Sequence, residues 1–348
     1  MDLLESIKHP GRTFIIGEAG VNHNGKLDLA MKLVDKAKAA GVDAIKFQTF
    51  IADQLVTKKA PMADYQKRNT KGDKGQYEMI QRLQLDLKDF VGLKKYCDEK
   101  GIMFLSTPFD MPSVDALTPL VKYFKIPSGE MTNHPFLKYV AAKKKPMIIS
   151  TGMATLGEIE EALVSIRSVD PGCKIFLLHC VSSYPSSYED ANLNAIATIR
   201  NAFKLPVGYS DHTEGIEVSL AAVAMGAVII EKHFTLDKMM MGPDHKFSAD
   251  PEELRRLVRS IRNIESAYGS GIKAPSKAEA KLAKVARRSL VANRDMAAGH
   301  IIRKEDIAIK RPGDGMSPKS FDHILGKRLI RPISKDEKFT WSHFMSED

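Results

Sequence analysis

Eight short apolar runs punctuate the first 270 residues, and each ends on polar side chains shortly before the next helical pattern. They are Phe14–Gly17, Ala44–Phe47, Met103–Ser106, Tyr123–Ile126, Met147–Ile149, Ile175–Leu178, Leu205–Tyr209 and Ala227–Ile230. Runs of this length, separated by helix-length stretches, read as buried parallel strands joined by crossover helices. The clearest helical patterns are Leu27–Ala40, stopped by Gly41, and Leu87–Lys100, stopped by Gly101. Pro251–Tyr268 is a third, with Asp250 as its cap and Pro251 at its first position. Eight strands, each followed by a helix, predict an α/β fold of the (β/α)8 (TIM) barrel type. The barrel is expected to span residues 1–268. Gly269–Ala283 reads as a polar linker, and 284–348, with short runs and repeated turns, reads as a small irregular domain. The excursion Ile51–Gly75 is too long for a plain connection and is expected to be a lid or active-site loop.

The composition narrows the class of protein. With 348 residues, 43% of them hydrophobic and 27% charged, the chain can build a large soluble core. Met1–Thr13 carries Asp2, Glu5, Lys8 and Arg12 and lacks the apolar segment of a signal peptide. The longest apolar stretch, Leu220–Ile230, falls far short of a membrane span. Cys97, Cys173 and Cys180 lack metal or redox spacing, which fits a reducing cytoplasm. The net charge of +9 is spread along the chain, without an RNA-binding aromatic pattern or zinc finger. No nucleic-acid or membrane partner is therefore expected. The charge suits attraction of small anions.

A barrel brings the carboxyl ends of all its strands to one mouth. Here those ends carry Glu18, Lys46, Gln48, Thr107, Lys125, Ser128, Glu130, Ser150, Ser210, His212, Glu231 and His233. Side chains alternate along a strand, so Ser210 and His212 share a face, as do Glu231 and His233. His212 and His233 end neighbouring strands and can share one divalent metal as neutral imidazoles. Lys46 and Lys125 are unusual on buried strands, because an unpaired ammonium is costly to bury. Either they pair with Glu18 or Glu231, or they converge with the Ser128, Ser150 and Ser210 hydroxyls on a phosphate and a carboxylate. Glu130, on a turn, can face the cavity and handle protons. Asp244, on the last βα loop, can fix a metal-bound water or a substrate hydroxyl. The residues alone point to a phosphorylated carboxylate meeting a metal-polarised oxygen.

A series of polar motifs runs in order along nearly the whole chain: IGEAGVNH (Ile16–His23), AIKFQT (Ala44–Thr49), LSTPF (Leu105–Phe109), KIPSGE (Lys125–Glu130) and ISTGM (Ile149–Met153), then HCVSSYP (His179–Pro185), YSDHT (Tyr209–Thr213), IEKHFT (Ile230–Thr235) and GPD (Gly242–Asp244). On these motifs the chain resembles the sialic acid synthase family, the bacterial N-acetylneuraminate synthases and their legionaminate and other nonulosonate relatives. KRPGDG (Lys310–Gly315) resembles the family's C-terminal antifreeze-like (SAF) domain.

The resemblance implies condensation of phosphoenolpyruvate with open-chain N-acetylmannosamine, giving N-acetylneuraminate and phosphate by C–O cleavage. The alternative is an N,N'-diacetyllegionaminate synthase using 2,4-diacetamido-2,4,6-trideoxymannose. It also implies Mn2+, or another divalent ion such as Mg2+ or Co2+, held by His212 and His233. Lys46 and Thr107 would hold the carboxylate of phosphoenolpyruvate, and Lys125, Ser128, Ser150 and Ser210 its phosphate. Glu130 would be the acid/base, with Glu18, Gln48, Tyr184, Glu231 and Asp244 orienting sugar, water or metal. Val181, Ser182 and Ser183 stand where several members carry Asn, so Ser182 is among the expected substrate-facing positions and the sugar stays open. Arg311 would cap the barrel mouth of the other subunit in a domain-swapped homodimer.

Two other readings compete. A Schiff-base aldolase would use Lys125 covalently. A sugar-acid-binding barrel without turnover would have lost the lysines, Glu130 or a histidine, all of which are present.

Overall fold

A computed structural model describes residues 2–6, 11–70 and 75–345. Lys8 and the last residues before Gly75 in the excursion lie outside them. Two compact units meet at Gly269/Ser270.

The first unit contains eight parallel strands: β1 Phe14–Gly20, β2 Ala44–Thr49, β3 Met103–Pro108, β4 Phe124–Ile126, β5 Met147–Ser150, β6 Ile175–Cys180, β7 Val207–Asp211 and β8 Ile229–His233. Their ladders run β3–β2–β1–β8–β7–β6–β5–β4, with β3 and β4 lying side by side to bring the ring round. The barrel expectation is met. Seven of the eight strands run past the apolar runs into the polar residues that follow. Ser150, His179–Cys180, Ser210–Asp211 and Glu231–His233 are strand, not loop.

This extension follows from what the inward rows contain. Phe14, Ile16, Ala44, Leu105, Tyr123, Ile148, Phe176, Leu178 and Ile229 form one cluster inside the barrel. Leu3, on the short helix Leu3–Ser6, packs into the same cluster. Two residues further along the strands, on the same face, stand Glu18, Lys46, Thr107, Lys125, Ser150, Cys180 and Glu231. Each inward row is thus apolar below and polar above. The outward rows pack against the helices in a second, larger cluster, with Ile15, Ile45, Phe104 and Ile230 on the strand side.

Leu27–Ala40 and Leu87–Lys100 end as expected, because Gly41 and Gly101 take the left-handed conformation that caps each helix. Asp250 accepts from the backbone N–H groups of Glu252 and Glu253 at 2.9 and 2.8 Å, and its helix ends at Ala267. The polar stretch expected as a linker is not irregular throughout. Lys277–Ala286 is a helix, opened by a capping box between Ser276 and Glu279.

The second unit holds an antiparallel pair, β9 Ser289–Ala292 and β10 Ile307–Lys310, over a small core of Leu290, Ile302, Ile324, Leu329, Ile333 and Phe339. A fully buried carboxylate of this unit, Asp306, accepts from His300 Nε2 at 2.7 Å, Arg294 Nε at 2.8 Å and the Arg303 backbone N–H at 2.9 Å. Burial alone would raise its pKa, but these donors outweigh burial and hold it at about 2. The resulting stabilisation is complete above the unfolded value near 3.9 and is lost as pH falls toward 2. A depression of about two units corresponds to roughly 2–3 kcal/mol. Trp341, the only tryptophan, lies in this unit, so its fluorescence reads this unit's unfolding in the intact chain. Asp306→Asn is expected to cost roughly that energy at pH 7 and to flatten the loss of stability between pH 4 and 2. A variant with the wild-type acid limb would contradict this assignment.

Candidate active site

The polar tops of the inward rows line one cavity of about 540 Å3. Its floor is a network of four charged side chains, none more than 5% exposed. Lys46 Nζ lies 2.5 Å from Glu18 Oε2 and 3.8 Å from Glu231 Oε2, and donates to Thr107 Oγ1 at 3.0 Å. Lys125 Nζ donates to Ser150 Oγ at 2.6 Å and to the Ile126 carbonyl at 3.1 Å, with Glu231 Oε1 3.8 Å away. Ser210 donates to Glu231 at 3.0 Å, and Gln48 to Glu18 at 3.3 Å. Register explains the pairing. Glu18 lies beside Lys46 on β2 and beside His233 on β8, and Ser210 lies beside Glu231. The lysines are therefore paired with acids, and both also face the cavity.

The two acids are not equivalent. Burial pushes Glu18 upward against the pull of Lys46. Burial acts the same way on Glu231, but Lys125, Lys46 and Ser210 outweigh it and hold that carboxyl below its ordinary range. Glu18 is thus the first to take up a proton. When it does, two ammonium groups face one fixed carboxylate, a net positive floor suited to a small anion. Desolvation also pulls Lys125 down.

Above this floor, the rings of His212 and His233 lie 5.5 Å apart between centroids. Burial lowers both pKa values, so both are neutral. His212 Nδ1 donates to the Val181 carbonyl at 2.7 Å, which leaves the Nε2 lone pair open. His233 Nδ1 is buried without a hydrogen-bond partner, 4.0 Å from Asp244 Oδ2. Burial pushes the Asp244 carboxyl up to about 7. Two neutral imidazoles beside oxygen donors fit a borderline divalent ion. Among the described residues, no group of three or more His, Cys, Asp or Glu side chains is gathered to hold a metal by itself. A metal here would take oxygen ligands from water or substrate as well. The Tyr184 ring lies 4.3 Å from that of His212 and 5.4 Å from that of Phe247.

The hydroxyl wall is tightly built. Ser128 Oγ accepts from the Gly152 backbone N–H at 2.9 Å and lies 3.1 Å from Cys180 Sγ. A Cβ at Gly152 would meet the Ser182, Ser128 and Cys180 side-chain ends at under 3.0 Å, so any larger residue here would displace this wall. Cys180, within the HCVSSYP stretch but not among the expected site residues, also lines the cavity. The excursion after β2 also contributes. Leu55, Val56, Ala63, Tyr65 and Gln66 face the cavity, and Asn69 donates to the Pro243 carbonyl at 2.8 Å, next to Asp244.

One expected site residue of the barrel is not brought to this wall. Glu130 is half-buried on the 3-10 turn Ser128–Glu130 and accepts from Asn133 Nδ2 at 2.6 Å. Gly129 lines the cavity and Glu130 does not. Asn133, which caps the next helix, draws the carboxylate to itself, so the expectation that it faces the cavity is corrected. Arg311 is an exposed residue of the second unit.

On the outer face of β7 and β8 lies a pair that reading the sequence missed. Lys232 Nζ is 3.0 Å from Asp211 Oδ2 and also donates to the Thr213 carbonyl. Asp211 further accepts from the Thr213 N–H and hydroxyl and from Ser219. The pair locks together the residues that flank His212 and His233. An acid and a lysine at matching positions on neighbouring strands were the available signal.

Residues 33–273 match the NeuB family and residues 287–345 match the SAF domain. The chain is 50% identical to the N,N'-diacetyllegionaminic acid synthase of Campylobacter jejuni, over 94% of this chain and 98% of that protein. It is 49% identical to the synthase of the same name from Legionella pneumophila, over 95% of this chain and 94% of that one. Among solved structures, the N-acetylneuraminic acid synthetase of Leptospira borgpetersenii superposes with a TM-score of 0.67 at 38% identity, covering 78% of this chain and 90% of that one.

Proposed function

The chain belongs to the NeuB family, and from that premise we propose a nonulosonate synthase. It is a transferase-type enzyme that condenses phosphoenolpyruvate with an open-chain N-acetylated amino sugar. N-acetylmannosamine and 2,4-diacetamido-2,4,6-trideoxymannose both fit the relatives, the second through the legionaminic acid synthases. One observation carries the reading: a single cavity joins a two-lysine floor to a pair of neutral histidines.

In this reading Lys46 and Thr107 hold the carboxylate of phosphoenolpyruvate, while Lys125, Ser128, Ser150 and Ser210 hold its phosphate. A divalent ion, Mn2+ for instance, on His212 and His233 would supply Lewis acidity toward the sugar carbonyl. Held in register, C3 of phosphoenolpyruvate attacks the aldehyde carbon, and positive charge develops at C2. Glu231, held as a carboxylate between the lysines, would stabilise that charge, with Glu18 beside it helping to orient the sugar or the water. Water adds at C2, and phosphate leaves with the bridging oxygen. Gln48, Tyr184, Ser182 and Asp244 orient the sugar and the water.

Three unpaired cysteines and the absence, among the described residues, of any helix long and apolar enough to cross a membrane support a cytoplasmic enzyme, which cell fractionation tests. The reading includes a domain-swapped homodimer in which Arg311 reaches the partner's barrel mouth. A monomeric mass by sedimentation at assay concentrations would reject that arrangement.

The deciding experiment is phosphate release. Release is expected only when phosphoenolpyruvate, an N-acetylated amino sugar and a divalent ion are all present. Chelation should abolish it and Mn2+ restore it, and His233→Ala should weaken Mn2+ binding in calorimetry without unfolding the barrel. Full turnover in metal-free protein would sink the metal's role.

Glu130 remains the proposed acid/base, since it sits on the turn whose Gly129 lines the cavity. Glu130→Gln is expected to lower kcat by about 10²- to 10⁴-fold with phosphoenolpyruvate binding kept. An unchanged kcat would hand the role to the raised carboxyls inside the cavity, Glu18 or Asp244.

A further inference from the structure

Of the motif IGEAGVNH, Glu18 and Val21 line the cavity, but Asn22, and Asn24 just beyond the motif, do not. Asn22 is fully buried, and a buried amide is costly unless its hydrogen bonds are made. Its Nδ2 donates to the Phe234 carbonyl at 2.8 Å and to Ser248 Oγ at 3.0 Å. Ser248 Oγ in turn donates to the Asp244 carbonyl at 2.6 Å. Asn24 makes a second arm. Its Oδ1 accepts from His245 Nε2 at 3.3 Å, because an amide oxygen carries no hydrogen. That fixes the tautomer of His245, whose Nδ1 accepts from Thr235 Oγ1 at 2.6 Å. Burial pushes His245 down to about 4, so the ring is neutral at pH 7 and keeps both bonds.

Both arms converge on Asp244. One ends on its own carbonyl and the other on the residue that follows it. Gly242 lies against the same group, since a Cβ there would come within 3.0 Å of the His245 ring and of Asn24 Oδ1. Asn69 holds Pro243 from the other side. Residues 234–244 form no helix or strand, so no ladder fixes the direction of Asp244. Its carboxylate is nonetheless buried, faces the cavity and stands 4.0 Å from His233 Nδ1.

We propose that Asn22, Asn24, Thr235, His245 and Ser248 are positioning residues, a polar clasp that holds Asp244 at a set distance from His233 and from the reacting end of the substrate. The kinetic consequence rests on the synthase reading above, whereas the geometric consequence does not. A misplacement of about 1 Å costs roughly 100-fold in rate, while one lost hydroxyl has only a modest effect on folding.

Ser248→Ala removes the hydroxyl that links Asn22 to Asp244, and Thr235→Val removes the one that holds His245. Phosphate release is followed with the full-length, Mn2+-loaded enzyme. The acceptor is whichever of N-acetylmannosamine and 2,4-diacetamido-2,4,6-trideoxymannose the wild type uses better. The double variant is expected to lose about 10- to 100-fold in kcat/KM for the acceptor, with KM for phosphoenolpyruvate kept. Thr235→Ser, which keeps the hydroxyl, should stay close to wild type. In an Asp244→Ala background the same two changes should cost nothing further, because the group they position is gone. Crystal structures of the wild type and the double variant should show Asp244 displaced from His233 in the variant. A lowered melting temperature with unchanged kinetics would make the clasp structural only and overturn the proposal. So would a loss just as large in the Asp244→Ala background, a Thr235→Ser variant as impaired as Thr235→Val, or an unchanged separation of Asp244 and His233. Phosphate release from neither acceptor in the wild type would overturn the synthase reading instead, and the crystallographic comparison would still decide the clasp.

Discussion

The four buried charges at the tops of β1, β2, β4 and β8 are the constraint around which the barrel is arranged. Removing an ion from water costs several kcal/mol even after relaxation, and the cost is met only where geometry and extra hydrogen bonds are good. Lys46 has Glu18, Thr107 and Glu231 within 3.8 Å, and Lys125 has Ser150, the Ile126 carbonyl and Glu231 within the same distance. Glu231 is the shared member, placed between the cations by its position beside Ser210. Apolar residues would fill this layer at less cost, as they do in the layer beneath. The charges are better explained by the anion they can bind than by any stability they add.

The same strands that carry the floor also fix the histidines. On β8, Glu231 and His233 point inward and Lys232 outward, and β7 repeats the pattern with Ser210 inward and Asp211 outward. The inward residues make chemistry, while the outward pair, Lys232 with Asp211, anchors the strand ends from behind. Removing one partner of such a pair strands the other as a buried charge, which is why anchoring of this kind is rigid. Asp244 reaches His233 from a loop tied to the excursion through Asn69 and Pro243. Floor, histidines and cover are therefore mechanically continuous within the barrel unit.

Much of this was legible from the residues, and the failures have physical causes. Strand positions followed from hydrophobic runs, but most of the runs stop where the inward row turns polar, so the expected ends fell short of Cys180, Asp211 and His233. Helix ends marked by glycine were right, since Gly41 and Gly101 take a conformation that favours glycine. Lys277–Ala286 was missed because none of its residues is buried, so it has no core face to announce it, although Ser276 and Glu279 spelled a capping box. Most of the cavity residues were found because strand alternation is rigid. Only the direction of the Glu130 carboxylate was missed, because a three-residue turn has no such periodicity and a local partner, Asn133, decided where it went. The apolar wall of the cavity, which includes Leu55 and Val56, was invisible in the same way, being assembled from loop and short-helix residues whose order carries no repeat.

The contrast between floor and wall bears on how the chemistry can work. Electrostatic stabilisation is strong only where water is excluded, because bulk water weakens every interaction among the charges. The barrel alone offers an open mouth. The apolar segment after β2 supplies side chains that displace water from beside Lys46 and Glu18 without competing for their hydrogen bonds. A polar cover would have done the opposite, giving the lysines partners other than substrate. An apolar wall beside an ionic floor therefore lowers the local dielectric around the buried charges while leaving their hydrogen-bonding groups open to a ligand.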